Sequence, residues 1–157
     1  MAFCCSGTCW CASALAADAA IQVKDGYYRN LVDFDFMRRN VDIPPKKGIM
    51  IIDSRPAARQ YDPGHIPGAV NIPDSQFDKQ TDKLPGDKAT LLLFYCGGVD
   101  CMLSHNSAAK AEKLGYTNIK VYPGGMPDWK AKGVQVSVSA AHVPAKPTIP
   151  PSFCAPS

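Results

Sequence analysis

Cys96 stands at the end of Leu91-Leu92-Leu93-Phe94-Tyr95 and is followed directly by Gly97 and Gly98. The apolar run reads as a buried strand. A helix is expected from Ser104 to Leu114, with the serine at its start, Ala108, Ala111 and Leu114 on one face, and Gly115 as its stop. A thiol placed between such a strand and such a helix can do chemistry. Glycines permit turns that aim several backbone N–H groups inward. The first turn of a helix carries unpaired N–H groups and a partial positive charge. Both stabilise a thiolate and the anions it reacts with, so Cys96 is expected to be a nucleophile of lowered pKa. Without these surroundings, a cysteine at a strand tip would read as a small buried hydrophobe.

The elements that would position this loop are short. Ile49-Met50-Ile51-Ile52, Ala69-Val70-Asn71-Ile72, Leu91 to Tyr95 and Ile119-Lys120-Val121-Tyr122 are apolar and not cleanly alternating. Strands covered by helices on both faces have that pattern. A fifth strand is expected near Ile21-Gln22-Val23 or Gln135-Val136. Shorter helices are expected at Leu31 to Arg39 and Met126 to Lys132. Strands alternating with helices give an α/β domain with a mainly parallel sheet, in which ligands bind beyond the carboxyl ends of the strands. Cys96 lies at such an end.

The chain of 157 residues suits one domain, and 46% hydrophobic with 20% charged residues describes an ordinary globular composition. Seventeen basic and 14 acidic residues leave a net charge of +3, which gives no footprint for nucleic acid. No apolar stretch of about 18 residues is present, so no membrane span is expected. Four of the seven cysteines, Cys4, Cys5, Cys9 and Cys11, crowd the beginning of the chain. Residues 1–16 carry no charge and end in Ala14-Leu15-Ala16, which reads as a signal peptide cleaved before Ala17, and hence as a periplasmic or secreted protein. An uncleaved leader, with a cytoplasmic protein, and a four-thiolate metal tract are the rival readings. The domain is expected over 17–137, and the Pro- and Ala-rich 138–157, with Cys154, as a disordered tail.

Three motifs resemble the rhodanese superfamily between Ile49 and Gly133. They are Asp53-Ser54-Arg55 leading to Asp62-Pro63-Gly64-His65-Ile66-Pro67-Gly68-Ala69-Val70-Asn71-Ile72-Pro73, the Cys96 loop, and Gly124-Gly125-Met126-Pro127-Asp128-Trp129. The resemblance implies a rhodanese-like α/β fold with a five-stranded parallel sheet between helices. It implies sulfane-sulfur transfer from a small donor (polysulfide, persulfide or thiosulfate) to a thiol or cyanide through a persulfide on Cys96. The loop Gly97, Gly98, Val99, Asp100 and Cys101 would hold the substrate, with no metal or organic cofactor. Arg59 would contact an anionic donor, the rival reading being a solvated surface charge. Asp53, Arg55 and His65 would be structural, and Trp129 would pack in the core.

The loop departs from the family in length and charge. No Lys or Arg occurs between Cys96 and Lys110, and Asp100 adds a negative charge. Polysulfide or persulfide is therefore expected to be favoured over thiosulfate. Cys101 either resolves the persulfide by closing a disulfide with Cys96 or only shapes the longer loop. A second class of function is a rhodanese-fold carrier or binding module with little turnover. A phosphatase or arsenate reductase is a third, disfavoured because the loop lacks the arginine that holds a tetrahedral dianion.

Overall fold

The computed structural model describes residues 24–140. The expected leader, its four cysteines, Ile21-Gln22-Val23, Cys154 and the tail beyond Ala140 lie outside the described residues. Four strands, β1 (Ile49–Asp53), β2 (Val70–Asn71), β3 (Leu91–Tyr95) and β4 (Ile119–Tyr122), form a parallel sheet in the order β2-β1-β3-β4. The helices are α1 (Phe34–Asn40), α2 (Leu103–Lys113) and α3 (Gly125–Ala131). A π-helical turn at Ala57–Tyr61 and 3-10 turns at Asp74–Lys79 and Thr81–Lys83 complete the set.

Period-two side-chain alternation sorts the strands into two cores. Ile52, Leu92, Phe94, Ile119 and Val121 face α2 through Ala108 and Ala111. Ile51, Leu93, Tyr95 and Tyr122 face the other way, against Met37 of α1 and Met126 and Trp129 of α3. Both faces are thus covered, which explains the apolar runs. Trp129 is buried in this second core, and its indole N–H donates to the Gln135 carbonyl at 2.9 Å. No helix of the described residues is long and apolar enough to cross a membrane.

Three expectations need correction. Among the described residues the sheet has four strands and not five. The place beside β4 is taken by a single bridge, Leu31 to Val121, and Gln135-Val136 only precedes an antiparallel bridge between Ser137 and His65. Helix α1 starts later than Leu31, because Leu31 is spent on that bridge and the Asp33 carboxylate caps the helix by accepting from the Phe36 N–H at 2.8 Å. Ser104 does not cap α2: Met102 is the N-cap, no side chain caps the helix, and Ser104 falls within the first turn.

The carboxyl ends of β1 and β3 carry the polar features of the domain. Asp53 and Arg55 are buried and paired: Nε donates to Oδ1 at 2.9 Å and Nη2 to Oδ2 at 2.5 Å. Arg55 Nη2 also donates to the Gly64 carbonyl at 2.9 Å, tying the strand end to the next loop. Removing one member of a buried ion pair leaves the other charge uncompensated. Asp53→Ala should therefore destabilise the fold by about 3–5 kcal/mol in urea denaturation. A loss under about 1 kcal/mol, the scale of an exposed pair, would mean that Arg55 finds solvent.

Candidate active site

Asp53 of β1 lies beside Tyr95 of β3, so the residues leaving the two strands, Ser54 and Cys96, emerge together. From there the chains diverge. The segment after β1 places Tyr61 against the α1/α3 core, while β3 leads into α2 on the opposite face. A crevice at such a divergence is the usual ligand site of an open parallel sheet.

The loop is fixed from two sides. The Cys96 carbonyl accepts the Met126 N–H at 3.1 Å. Gly125 has φ +57°, and a Cβ built there would stand 2.3 Å from the Cys96 carbonyl oxygen, so only glycine lets α3 start here. On the other side, the N-terminal segment straps the loop. The Tyr27 hydroxyl donates to the Val99 carbonyl, Lys24 pairs with Asp100, and the Tyr27 ring stacks on His105 at 4.1 Å. His105 Nδ1 accepts the Tyr28 N–H at 3.0 Å, which puts the imidazole proton on Nε2, and burial lowers the pKa of the ring.

Two thiols meet at the start of α2. Cys96 is fully buried; its Sγ accepts from the Ser104 hydroxyl at 3.1 Å and the Ser104 N–H, and donates to the Cys101 carbonyl at 3.0 Å. Cys101 is half-buried and hydrogen-bonds the Cys96 thiol, and its sulfur also receives the N–H groups of Gly97 and Leu103. The first-turn N–H groups of α2, left without a capping side chain, are thus taken by sulfur. The single Cys96 thiol proton, which the Cys101 carbonyl accepts at 3.0 Å, goes to Cys101 sulfur once that sulfur is ionised. That bond holds the Cys101 pKa down to about 6, helped by the Gly97 and Leu103 N–H groups and the charge of Arg55. The same bond, with burial, pushes the Cys96 pKa up. This corrects the expectation of a lowered Cys96 pKa: in the resting dithiol the charge sits on Cys101, which has the N–H groups and the exposure.

Two cavities open on the loop, and Gly97 and Pro127 wall both. One, of about 650 Å³, is lined by Gly97, Gly98, Val99, Asp100, Cys101, Gly124, Pro127 and Asp128. The other, of about 300 Å³, is bordered by Arg55, Arg59, Gln60, Gly97, Met126 and Lys130 among others. Arg59 and Lys130 are exposed, and neither has an ion-pair partner among the described residues. The expected loop residues line the larger cavity and Arg55 and Arg59 border the smaller one, while buried Cys96 lines neither. His65 also lines neither: its Nδ1 bonds the Tyr61 carbonyl at 2.9 Å and its ring stacks on Tyr61, as a turn organiser would. Lys130 and the Ser104 hydroxyl escaped the sequence reading. Lys130 directly follows the tryptophan of the third motif, and that adjacency was the available signal. No group of side chains suited to a metal ion occurs among the described residues.

A model of the rhodanese-like domain matches residues 38–132, well over half of the chain. The chain belongs to the rhodanese-like family. An HTH-type transcriptional regulator of Mycobacterium tuberculosis is 32% identical over 92 residues, covering 59% of this chain and 39% of the regulator. The rhodanese-like chain thus spans well under half of that protein. A thiosulfate:glutathione sulfurtransferase of Saccharomyces cerevisiae is 30% identical over 100 residues, covering 54% of this chain and 67% of the yeast protein. Among solved structures, a Bacillus halodurans protein superposes with a TM-score of 0.61 at 27% identity, over 69% of this chain and 77% of its own. The family match over residues 38–132 places this chain in the rhodanese superfamily.

The thiol pair has a measurable signature. Iodoacetamide alkylation of Cys101, followed by peptide mass across pH, should rise through about pH 6, because the thiolate is the reactive form and its pKa is depressed. Cys96→Ala removes the donated hydrogen bond and should move that midpoint upward, toward an ordinary thiol. A wild-type Cys101 that alkylates only in the ordinary thiol range would refute the charge assignment.

Proposed function

We propose that this rhodanese-like chain is a sulfurtransferase that carries sulfane sulfur as a persulfide on Cys96. The observation behind this reading is the sulfur of Cys96 at the end of β3, held by the Ser104 hydroxyl and N–H, with the next residue, Gly97, walling a cavity that bears Arg59 and Lys130. The family and the yeast relative named for thiosulfate and glutathione support the same chemistry.

Thiosulfate or a polysulfide anion enters the cavity of Arg55, Arg59 and Lys130. As Cys96 Sγ attacks the outer sulfur of the donor, its proton passes along the existing hydrogen bond to the Cys101 thiolate. With thiosulfate, the new Cys96 S–S bond forms as the donor's S–S bond breaks, and sulfite leaves with the electron pair. The anionic persulfide is then received by the Ser104 hydroxyl and the N–H groups at the start of α2, donors preorganised as in an oxyanion hole. A thiolate acceptor attacks the outer sulfur and regenerates Cys96. The cations of this cavity offset the loop's own lack of positive charge, and Lys24 partly neutralises Asp100. Burial of Cys96 favours one rival reading, a sulfur carrier with slow turnover.

Intact-mass measurement after exposure to donor tests the assignment. Wild type should take up sulfur that cyanide removes, and Cys96→Ser should not; uptake by Cys96→Ser would refute it. Steady-state kinetics then separate enzyme from carrier, a carrier loading once without turning over.

The donor cavity gives a further expectation. Arg59→Ala and Lys130→Ala should each lower kcat/KM for thiosulfate by roughly tenfold, since hydrogen bonds to charged groups are worth about 1.5–3 kcal/mol. The loss should be smaller for a polysulfide of spread charge. No change in either variant would move the donor site elsewhere.

A further inference from the structure

We infer that Cys101 is the resolving thiol of a dithiol centre: it attacks the Sγ of loaded Cys96, closes a Cys96–Cys101 disulfide and expels the sulfane sulfur as hydrosulfide. The inference rests on the proposed Cys96 persulfide and gives it a second outcome, sulfide release beside sulfur transfer.

The geometry of the loop carries it. A turn closed by the Cys101 N–H on the Gly98 carbonyl at 3.0 Å folds the second cysteine back over the first. Gly98 has φ +127°, which a side chain would resist, and this lets so short a loop reverse. The Cys96 Sγ lies 3.0 Å from the Cys101 carbonyl oxygen, so the residue that would attack is already packed against the sulfur. Cys96 is fully buried, whereas Cys101 walls the larger cavity. An external thiol must displace loop atoms to reach the persulfide; Cys101 need only shed its proton.

The leaving group decides which sulfur is attacked. Attack at Sγ expels hydrosulfide. Attack at the outer sulfur would expel the Cys96 thiolate, which is disfavoured by burial and by its bond to Cys101. The lower-pKa group leaves faster, so Sγ is the favoured target. The step balances: Cys96–S–SH and the Cys101 thiolate give Cys96–S–S–Cys101 and hydrosulfide. The two protein sulfurs are oxidised, and the sulfane sulfur is reduced to sulfide. A dithiol reductant then returns the disulfide to two thiols, with one new disulfide formed in the reductant.

The test uses the full chain, fully reduced and held without oxygen, exposed to thiosulfate in the absence of any other thiol. Released sulfide is quantified and the Cys96 and Cys101 peptides are mapped by mass. Wild type should release about one sulfide per chain and acquire a Cys96–Cys101 disulfide; dithiothreitol should restore a second round. Cys101→Ser, and Cys101→Ala as a second substitution, should load sulfur more slowly because they lack the proton acceptor, but should keep what they load as persulfide, with sulfide release per loaded chain at least tenfold lower until a thiol is added. Stable persulfide in wild type with no disulfide would overturn the resolving role and leave the proposed function standing. So would sulfide release from Cys101→Ser at the wild-type rate. If the sulfur taken up by wild type maps to the Cys101 peptide and not to the Cys96 peptide, Cys101 is itself the sulfur carrier and the inference falls. If neither wild type nor the Cys101 variants load, the Cys96 persulfide reading fails instead.

Discussion

The start of α2 is the constraint on which the site depends. Its N-cap, Met102, offers no side-chain acceptor, and the N–H groups of Leu103 and Ser104 bond to the sulfurs of Cys101 and Cys96. Unpaired N–H groups at a buried helix start cost free energy unless something accepts them. The helix therefore needs the sulfurs as much as the sulfurs need the helix. Because α2 also supplies Ala108 and Ala111 to one of the two cores, the position of the thiols is coupled to packing across the sheet.

The loop between β3 and α2 is held at its other end by α3. Gly125 sits against the Cys96 carbonyl, and Met126 donates to it, while the Met126 side chain lies in the second core. Cys96 is thus set by backbone contacts from two helices packed on opposite faces of the sheet. Charge is distributed around this frame unevenly. Arg55, Arg59 and Lys130 border one cavity, whereas Asp100 and Asp128 border the other. Gly97 and Pro127 divide them. In the proposed reaction an anionic donor would be drawn to the basic side, and the half-buried Cys101 faces the acidic side, where hydrosulfide would be repelled outward.

Much of this was legible in the residues. The apolar runs at Ile49–Ile52, Leu91–Tyr95 and Ile119–Tyr122 marked strands because both sheet faces are covered, and Cys96 was legible because a strand, two glycines and a helix follow in order. What failed depended on long-range pairing. Nothing local in Leu31 shows that it will bridge to Val121, which shortened a helix. Ser104 looked like a cap because serine at a helix start usually is one; here its hydroxyl goes to Cys96 Sγ. The loop was read as lacking cations, correctly for its own residues, but Arg59 and Lys130 reach the same space from other segments of the chain. The lowered pKa expected for Cys96 falls to Cys101 for a similar reason: it follows from which sulfur receives the N–H groups, and that is a matter of three-dimensional aim.

Length, charge and the second thiol of this loop form one change. A loop with a basic residue binds an anion that arrives from solution. Here the N–H groups of Gly97 and Leu103 already hold an anion, the Cys101 thiolate, and an added cation in the loop would only stabilise that resting charge further. In the proposed reaction, the proton that Cys96 gives up neutralises Cys101 just as negative charge develops on the persulfide. The N–H groups lose one anion and gain another a bond length away, so the buried site carries about one negative charge throughout. Holding that charge constant avoids the desolvation cost of creating a second anion in a low-dielectric space. A thiol that supplies the balancing charge before sulfur transfer is also in contact with the sulfur it would attack afterwards, so one hydrogen bond prepares both steps.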